Sequence, residues 1–213
     1  MKRKRSWVVA ACLILCSFLS TGTIGVRDGS AAPDPTIELA MLMVQEAVSD
    51  IDFSSTLGAE AQNAINDLLV SVQEGDYLLA LQSAESLRAA LVSTEQEEIV
   101  PECATSLIPV VFDVIGLVQG VLPVLQGNTS YCAVVEIPLS ITGIIDGLLS
   151  YQICVAELEE TPDQEAIAVL EQQQNAVASV DLILIYGQIR SGCFSSPQQG
   201  YIQLLLKVIG LLF

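Results

Sequence analysis

Apolar residues in the first half of the chain recur every three or four positions, the spacing that places side chains on one face of an α-helix. This pattern predicts helices at 36–51 and 57–74. Gly75 then favours a helix stop, and Asp76 is placed to cap a third helix. The apolar stripe of the second helix is Leu57, Ala61, Ile65, Leu68 and Val72. Residues 33–93 are therefore predicted to form a segment of amphipathic helices.

The second half of the chain is more strongly apolar and contains an internal repeat. The pattern Cys-Ala-x-x-x-Ile-Pro occurs at 103–109 and again at 132–138, and each copy precedes a long apolar segment. The two segments predict two long helices joined by a turn at 127–130. The capping box Thr94-x-x-Glu97 is expected to open the first helical region, and prolines, above all Pro109, to kink it.

Two more helices complete the predicted fold. Thr161 and Pro162 supply a cap and a first-turn proline for a helix that extends to Arg190, and Ser196-Pro197 repeats this signal for a last helix. Few stretches alternate in the manner of β-strands. The prediction is an all-α fold, a disulfide-stapled antiparallel bundle of about six to seven helices. Residues 94–213 form its apolar part, either separately or as one continuous domain with 33–93.

Residues 1–32 have the composition of a signal peptide followed by a short linker. Basic residues at 2–5 precede the thirteen-residue apolar run Trp7–Leu19, after which small residues follow. Such a run is shorter than the roughly 20 residues that a membrane-spanning helix needs. Export is therefore predicted, and the mature protein is expected to be secreted or extracytoplasmic, in the periplasm or on the cell surface if the source is bacterial.

Export would make the chain strongly acidic. Loss of 1–32 leaves three basic and 24 acidic residues, a formal charge of −21. Such a surface repels the phosphate backbone, so no nucleic-acid partner is expected. Hydrophobic residues make up 52% of the chain and aromatic residues only 5%, which predicts an aliphatic core and excludes disorder for most of the length.

Four cysteines remain after export, and an even number in an exported chain favours disulfides. If the two long helices fold back about the turn near Asn128, Cys103 and Cys154 lie at the same end of the hairpin. Cys132 and Cys193 lie at the opposite end once the next helix folds back. The pairs Cys103–Cys154 and Cys132–Cys193 are therefore favoured among the three possible connectivities.

The chain lacks the residues of common catalytic sites. It has no histidine, which is the commonest general base and metal ligand. It also has no nucleophile elbow and no phosphate-binding glycine loop. No catalytic residue, metal site or cofactor is predicted, and the protein is not expected to be an enzyme.

Two surface features have candidate roles. Acidic clusters at 95–102 and 157–165 are expected at one end of the bundle, as a weak calcium site, as a docking surface for cations, or simply as acids that offset helix dipoles, the interpretation we favour. Asn128 begins an N-glycosylation sequon in a predicted exposed turn.

Each long apolar helix also carries a narrow stripe of polar and small residues. The stripes are Asp113, Gly116, Gly120 and Pro123 on the first helix, and Glu136, Ser140, Gly143, Gly147 and Ser150, with Asp146 at the margin, on the second. Small residues four positions apart allow close helix approach, so the stripes face either solvent or another helix. An acid such as Asp113 or Asp181, fully buried without a partner, would be too costly to stay charged.

The segments 107–125, 137–149, 182–186 and 201–213 are apolar on nearly every face, so each must be central or cover a partner, cavity or membrane. The principal hypothesis is a secreted, non-catalytic protein that binds an apolar small molecule or lipid. The alternative is a structural or interaction component of a cell envelope or extracellular matrix that self-assembles through these helices. Membrane insertion is disfavoured by the acids within the apolar segments. The expected partner is thus an apolar ligand or a protein, a second copy included.

Overall fold

The computed structural model describes residues 35–93 and 100–212, and within them it contains helices and no strand. The α-helices are α1 (Pro35–Val48), α2 (Ser54–Glu74), α3 (Tyr77–Ser93), α4 (Leu107–Leu125), α5 (Glu136–Glu157), α6 (Gln164–Arg190) and α7 (Pro197–Leu212). A 3₁₀ helix (Pro101–Ser106) precedes α4, and a one-turn helix (Tyr131–Val134) precedes α5. The predicted all-α bundle is confirmed. The predicted signal peptide and linker, 1–32, and the capping box at 94–97 lie outside the described residues.

Glycines lie at the kink in α2 and at its C-terminal end. Gly75 ends α2 with a φ of 73°, in the left-handed region that favours glycine, and Asp76 then accepts a hydrogen bond from the Leu79 N–H at 3.0 Å. The predicted stop and cap are therefore both present. Gly58, with a φ of 82°, kinks α2 after its first turn.

The two copies of the Cys-Ala-x-x-x-Ile-Pro repeat have the same local structure. In each, the cysteine lies in a short helical turn, and the proline is the third residue of the long helix that follows. A proline in the first turn lacks an N–H that would have no intrahelical acceptor there, so Pro109 is accommodated at the start of α4 instead of kinking a longer helix. The helix predicted to run unbroken from 131 is likewise divided at Val135.

The start of α6 differs from the prediction by two residues. Asp163, and not Thr161, is the N-cap, because its carboxylate accepts hydrogen bonds from the N–H groups of Glu165 at 3.0 Å and Ala166 at 3.2 Å. Pro162 consequently precedes the helix instead of occupying its first position. A carboxylate is a strong cap because it satisfies backbone donors that have no intrahelical partner.

Helix α5 is the centre of the bundle. It packs between α4 and α6, α1 and α7 pack on α6, and α3 packs on α4. Gln152 of α5 joins the early helices to this bundle, because its side-chain amide donates to the Asp52 carbonyl at 2.9 Å and to the Thr56 hydroxyl at 3.3 Å. Most of the buried apolar side chains of 35–93 and 100–212 form one hydrophobic core.

Both ends of the bundle carry a disulfide. Cys103 is bonded to Cys154, with 5.7 Å between their Cα atoms, and this bond joins the 3₁₀ helix to the last turn of α5. Cys132 is bonded to Cys193 across 5.2 Å, and this bond joins the turn before α5 to the segment after α6. The pairs are those that up-down-up packing favours. Disulfides of this kind are compatible with an extracytoplasmic environment.

Candidate functional site: a polar groove over α5

The two glycine-containing stripes face each other where α4 meets α5. A Cβ atom on Gly147 would lie 2.5 Å from the Val110 side chain, and one on Gly143 would lie 2.5 Å from the Asp113 carboxylate. The stripes therefore make a close helix–helix contact, the second of the two interpretations allowed by their spacing. This contact fixes Asp113 over the exposed edge of α5.

The same edge of α5 is the floor of a groove, called here the α5 groove, between α4 on one side and α6 and α7 on the other. The groove consists of two clefts of about 460 and 770 Å³ that share Leu139, Asp146 and Lys207. Its charged lining residues are Asp113, Glu136, Asp146, Asp181 and Lys207. Apolar lining comes chiefly from Leu139, Ile185, Phe194 and Leu206.

An ion pair between α7 and α6 crosses the groove. The Lys207 ammonium lies 2.5 Å from Asp181, whose side chain is only 5% exposed, and the Thr142 hydroxyl of α5 donates to the same carboxylate. Asp181 is therefore buried with two partners, which satisfies the requirement that a buried acid be paired. Partial burial by itself would lower the pKa of Lys207, but attraction to Asp181, and then to Asp146 and Asp113, outweighs it and raises that pKa.

The other acids of the groove titrate above their ordinary range. Burial, opposed by Lys207 and reinforced by Asp181 and Asp146, raises the pKa of Asp113 to about 6. Burial also raises the pKa of Asp146 and of Glu136. Each shift means that partial burial in the groove disfavours the charged form of these carboxylates.

Replacement of Asp113 by asparagine is expected to stabilise the protein at pH 7. Because the pKa of Asp113 is higher in the folded than in the unfolded chain, its ionised form opposes folding once the pH exceeds the unfolded value. The gain should be on the order of 1 kcal/mol after allowance for solvent screening, and it should vanish at pH 3, where the carboxyl is neutral in both states. Thermal unfolding at both pH values, with Asp50→Asn at an exposed site as the control, measures it. An equal gain in stability at pH 7 and pH 3 would contradict a raised pKa of Asp113 in the folded protein.

Two glutamines hold the floor of the groove. The Gln188 amide donates to Glu136 at 2.7 Å, and the Gln174 amide donates to the Ser150 hydroxyl at 2.7 Å. Both donors come from α6 and both acceptors from α5. The polar floor is thus ordered by contacts between two packed helices and not by a loop.

Apolar side chains flank the polar floor. Leu206, which lines the larger cleft, is 62% exposed. On α4, Phe112 follows the cleft residue Pro109 by one turn and is 68% exposed, but it lines neither cleft. Other exposed apolar residues on α4 and α7 are Ile108, Val111, Ile115, Leu122, Leu125, Tyr201, Ile202, Leu205 and Ile209. The groove is therefore amphipathic, because its lining combines four acids with apolar side chains.

Within the residues that the structure describes, two segments are apolar and long enough to cross a membrane, as judged by length and composition alone. They are Pro101–Leu125 and Tyr131–Glu157, with mean hydropathies of 2.1 and 1.7. The second is 56% buried in the protein and contains the central helix α5, and buried core helices of soluble proteins have the same composition. The first is only 28% buried, because one face of α4 is turned outward.

The remaining predicted surface residues lie apart from the groove. Asn128 is exposed in the turn after α4, where its side-chain oxygen accepts a hydrogen bond from the Ser130 N–H at 3.2 Å. The Cys103–Cys154 bond holds Glu102 at the same end of the bundle as the acids of 157–165, whereas Glu95, Glu97 and Glu98 lie outside the described residues. Within 35–93 and 100–212, no three acids or cysteines are grouped to hold a metal ion.

The role of Lys207 was not predicted from the sequence. One signal was available, because Lys207 is one of three basic residues left after 1–32 and lies in an otherwise apolar helix. A charge in such a setting is expected to have a partner. The sequence alone does not identify that partner among 24 acids.

No family model matches this chain, and searches of curated proteins and of solved structures likewise found no match.

Proposed function

We propose that this protein is an extracytoplasmic, non-catalytic binding protein that holds an amphiphilic lipid or other apolar small molecule in the α5 groove. The observation that carries the proposal is the groove itself, whose two clefts are lined by both acids and apolar side chains. Its clefts of about 460 and 770 Å³ fall in the size range of small-molecule sites, roughly 300–1,000 Å³.

The polar floor favours an amphiphile over a plain hydrocarbon. An apolar chain would cover the lining side chains Leu206, which is exposed to water, and Phe194, which is half-buried. It would gain about 25 cal/mol for each Å² of apolar surface removed from water. Its head group would lie over the carboxylates of α4 and α5. Since four acids and one lysine line the groove, a cationic head is favoured over a carboxylate head.

Uptake of a solvatochromic dye tests this proposal. Detergent-free protein is expected to bind the uncharged dye Nile red with micromolar affinity, and dodecyltrimethylammonium should displace it at roughly one tenth of the dodecanoate concentration, because the groove is acidic. The variant with Asp113→Asn and Asp146→Asn should reduce that preference. Absence of dye uptake by the monomeric protein would refute the proposed function, whereas equal displacement by both amphiphiles would refute only the preferred head group.

Self-assembly is a second candidate, and the outer face of α4 favours it. Ile108, Ile115 and Leu122 lie along this face, on the side of the helix opposite its buried residues, and are 44–54% exposed. Sedimentation velocity without detergent separates the candidates. A carrier should sediment as a monomer that takes up dye, an assembly component as an oligomer indifferent to it, and a membrane protein should aggregate.

A further inference from the structure

Helix α7 is thinly attached to the rest of the protein. Its main packing partner is α6, and from Pro197 to Ile209 only Gly200 is buried, while Leu204 and Val208 are half-buried. A helix with so few buried apolar contacts has little to hold it in place against local opening. Its position therefore depends on a small number of specific contacts.

The first of these contacts anchors the N-terminal end of α7. Cys193, four residues before the helix, is covalently bonded to Cys132 in the turn before α5. Gly200, in the first turn, packs so closely that a Cβ atom there would lie 2.5 Å from Ile189 and 2.6 Å from Phe194. This end cannot move far from α6 without breaking the core contact or the disulfide.

The second contact is the Lys207–Asp181 ion pair, about 10 Å further along the helix at a rise of 1.5 Å per residue. In the described part of the chain it is the one side-chain hydrogen bond from α7 to another helix. Lys207 is 44% exposed, so water can compete for its ammonium. The carboxylates of Asp113 on α4 and Asp146 on α5 also attract it.

The ion pair lies where the two clefts of the α5 groove meet. Lys207 lines both clefts, together with Leu139 and Asp146. Movement of α7 away from α5, about its anchored end, would take the lysine out of the groove and join the clefts into one channel.

We propose that α7 is a hinged strap over the α5 groove, anchored at Cys132–Cys193 and latched by Lys207 on Asp181, and that a ligand enters when the latch opens. This inference rests on the proposed function, because it assigns the strap to control of that same groove. It requires two populated positions of α7, of which the latched one is seen here.

Hydrogen exchange of the full chain tests the strap. The variant Lys207→Met keeps the apolar stem and removes the ammonium, so peptides from 197–212 should exchange roughly tenfold faster than in the unchanged protein. The double variant Lys207→Met, Asp181→Asn also removes the latch but leaves no buried carboxylate without its cation. In it, peptides from 197–212 should again exchange faster, whereas peptides from α5 and α6 should exchange at the same rate as in the unchanged protein. Nile red should also bind roughly tenfold faster in stopped-flow mixing, because the open form is more populated. Arg190→Met, which removes the same charge from the last turn of α6, is the matched control and should change neither rate.

Unchanged exchange of 197–212 in Lys207→Met would overturn the strap. Faster exchange in both variants would also overturn it, because the effect would then follow net charge and not the latch. Faster exchange in Lys207→Met alone, with no dye bound by any form, would leave a mobile α7 but refute both its role as a gate and the proposed function. If Lys207→Met does not fold, Asp181→Asn breaks the latch from the other side with a nearly unchanged shape, and the same outcomes apply to it.

Discussion

Replacement of Cys103 and Cys154 by serine is expected to lower the free energy of unfolding by about 4 kcal/mol. The bridge joins residues 51 positions apart, and its loss restores much of the conformational freedom of the unfolded chain. The replacement also introduces two polar hydroxyls. Because Cys103 is fully buried, burial of a hydroxyl at that position lowers the free energy of unfolding further. Urea unfolding followed by circular dichroism, with the slope checked for constancy, measures the change.

The second bridge is a matched control that separates stability from strap motion. Cys132 and Cys193 are 61 positions apart, so their replacement should cost a similar amount, about 4 kcal/mol. Because this bridge anchors α7, its loss should also accelerate hydrogen exchange in 197–212, whereas loss of Cys103–Cys154 should not. If replacement of Cys103 and Cys154 lowers the free energy of unfolding by less than about 1 kcal/mol, the bridge does not restrict the unfolded chain as a loop of this length should.

The disulfide pairs could be predicted from the sequence because they depend only on the antiparallel order of the helices. Cys103 and Cys154 lie at nearly equal distances along the chain from the turn at Asn128, so any antiparallel hairpin about that turn brings them together. Helix boundaries needed more detail. Whether Pro109 or Pro138 kinks a helix or begins one depends on where the preceding turn ends, and apolar periodicity does not report that.

The α5 groove could be predicted only in part. The sequence identifies the polar stripe of α5, but helical periodicity shows which residues share a face and not what that face meets. In the structure, one part of the stripe, at Gly147, contacts α4. Another part, Glu136 and Asp146, lines the open groove. The pairing of Asp181 with Lys207 depends on how α7 is seated on α6, which the Gly200 contact and the Cys193 bridge determine.

The groove residues also explain why an acidic protein retains a lysine in an apolar helix. Asp181 is nearly fully buried, and the cost of keeping its charge there would be prohibitive without a cation or strong donors. Lys207 supplies that cation from α7, which is thinly packed. The Lys207–Asp181 ion pair therefore neutralises a buried charge and also holds a weakly packed helix in place. For this reason it is suitable as a latch.

Replacement of Gly147 by alanine is expected to destabilise the protein by about 2 kcal/mol, although alanine favours helix by about 1 kcal/mol. The added methyl group would lie 2.5 Å from the Val110 side chain and 3.4 Å from the Ser106 carbonyl oxygen. Valine is β-branched and nearly fixed in one rotamer in a helix, so it cannot turn away. The contact can be relieved only by separating α4 from α5, which opens the core along both helices.

Gly116→Ala is the matched control, because it adds the same methyl group across the same interface. There the nearest atom is the Ser140 hydroxyl at 3.2 Å, which can rotate, so the helix-forming preference of alanine should offset the contact and leave stability within about 0.5 kcal/mol. Chemical unfolding of both variants at pH 7 measures the difference. Equal effects at Gly147 and Gly116 would contradict a tight α4–α5 seam, and the position of Asp113 over the groove would lose its support.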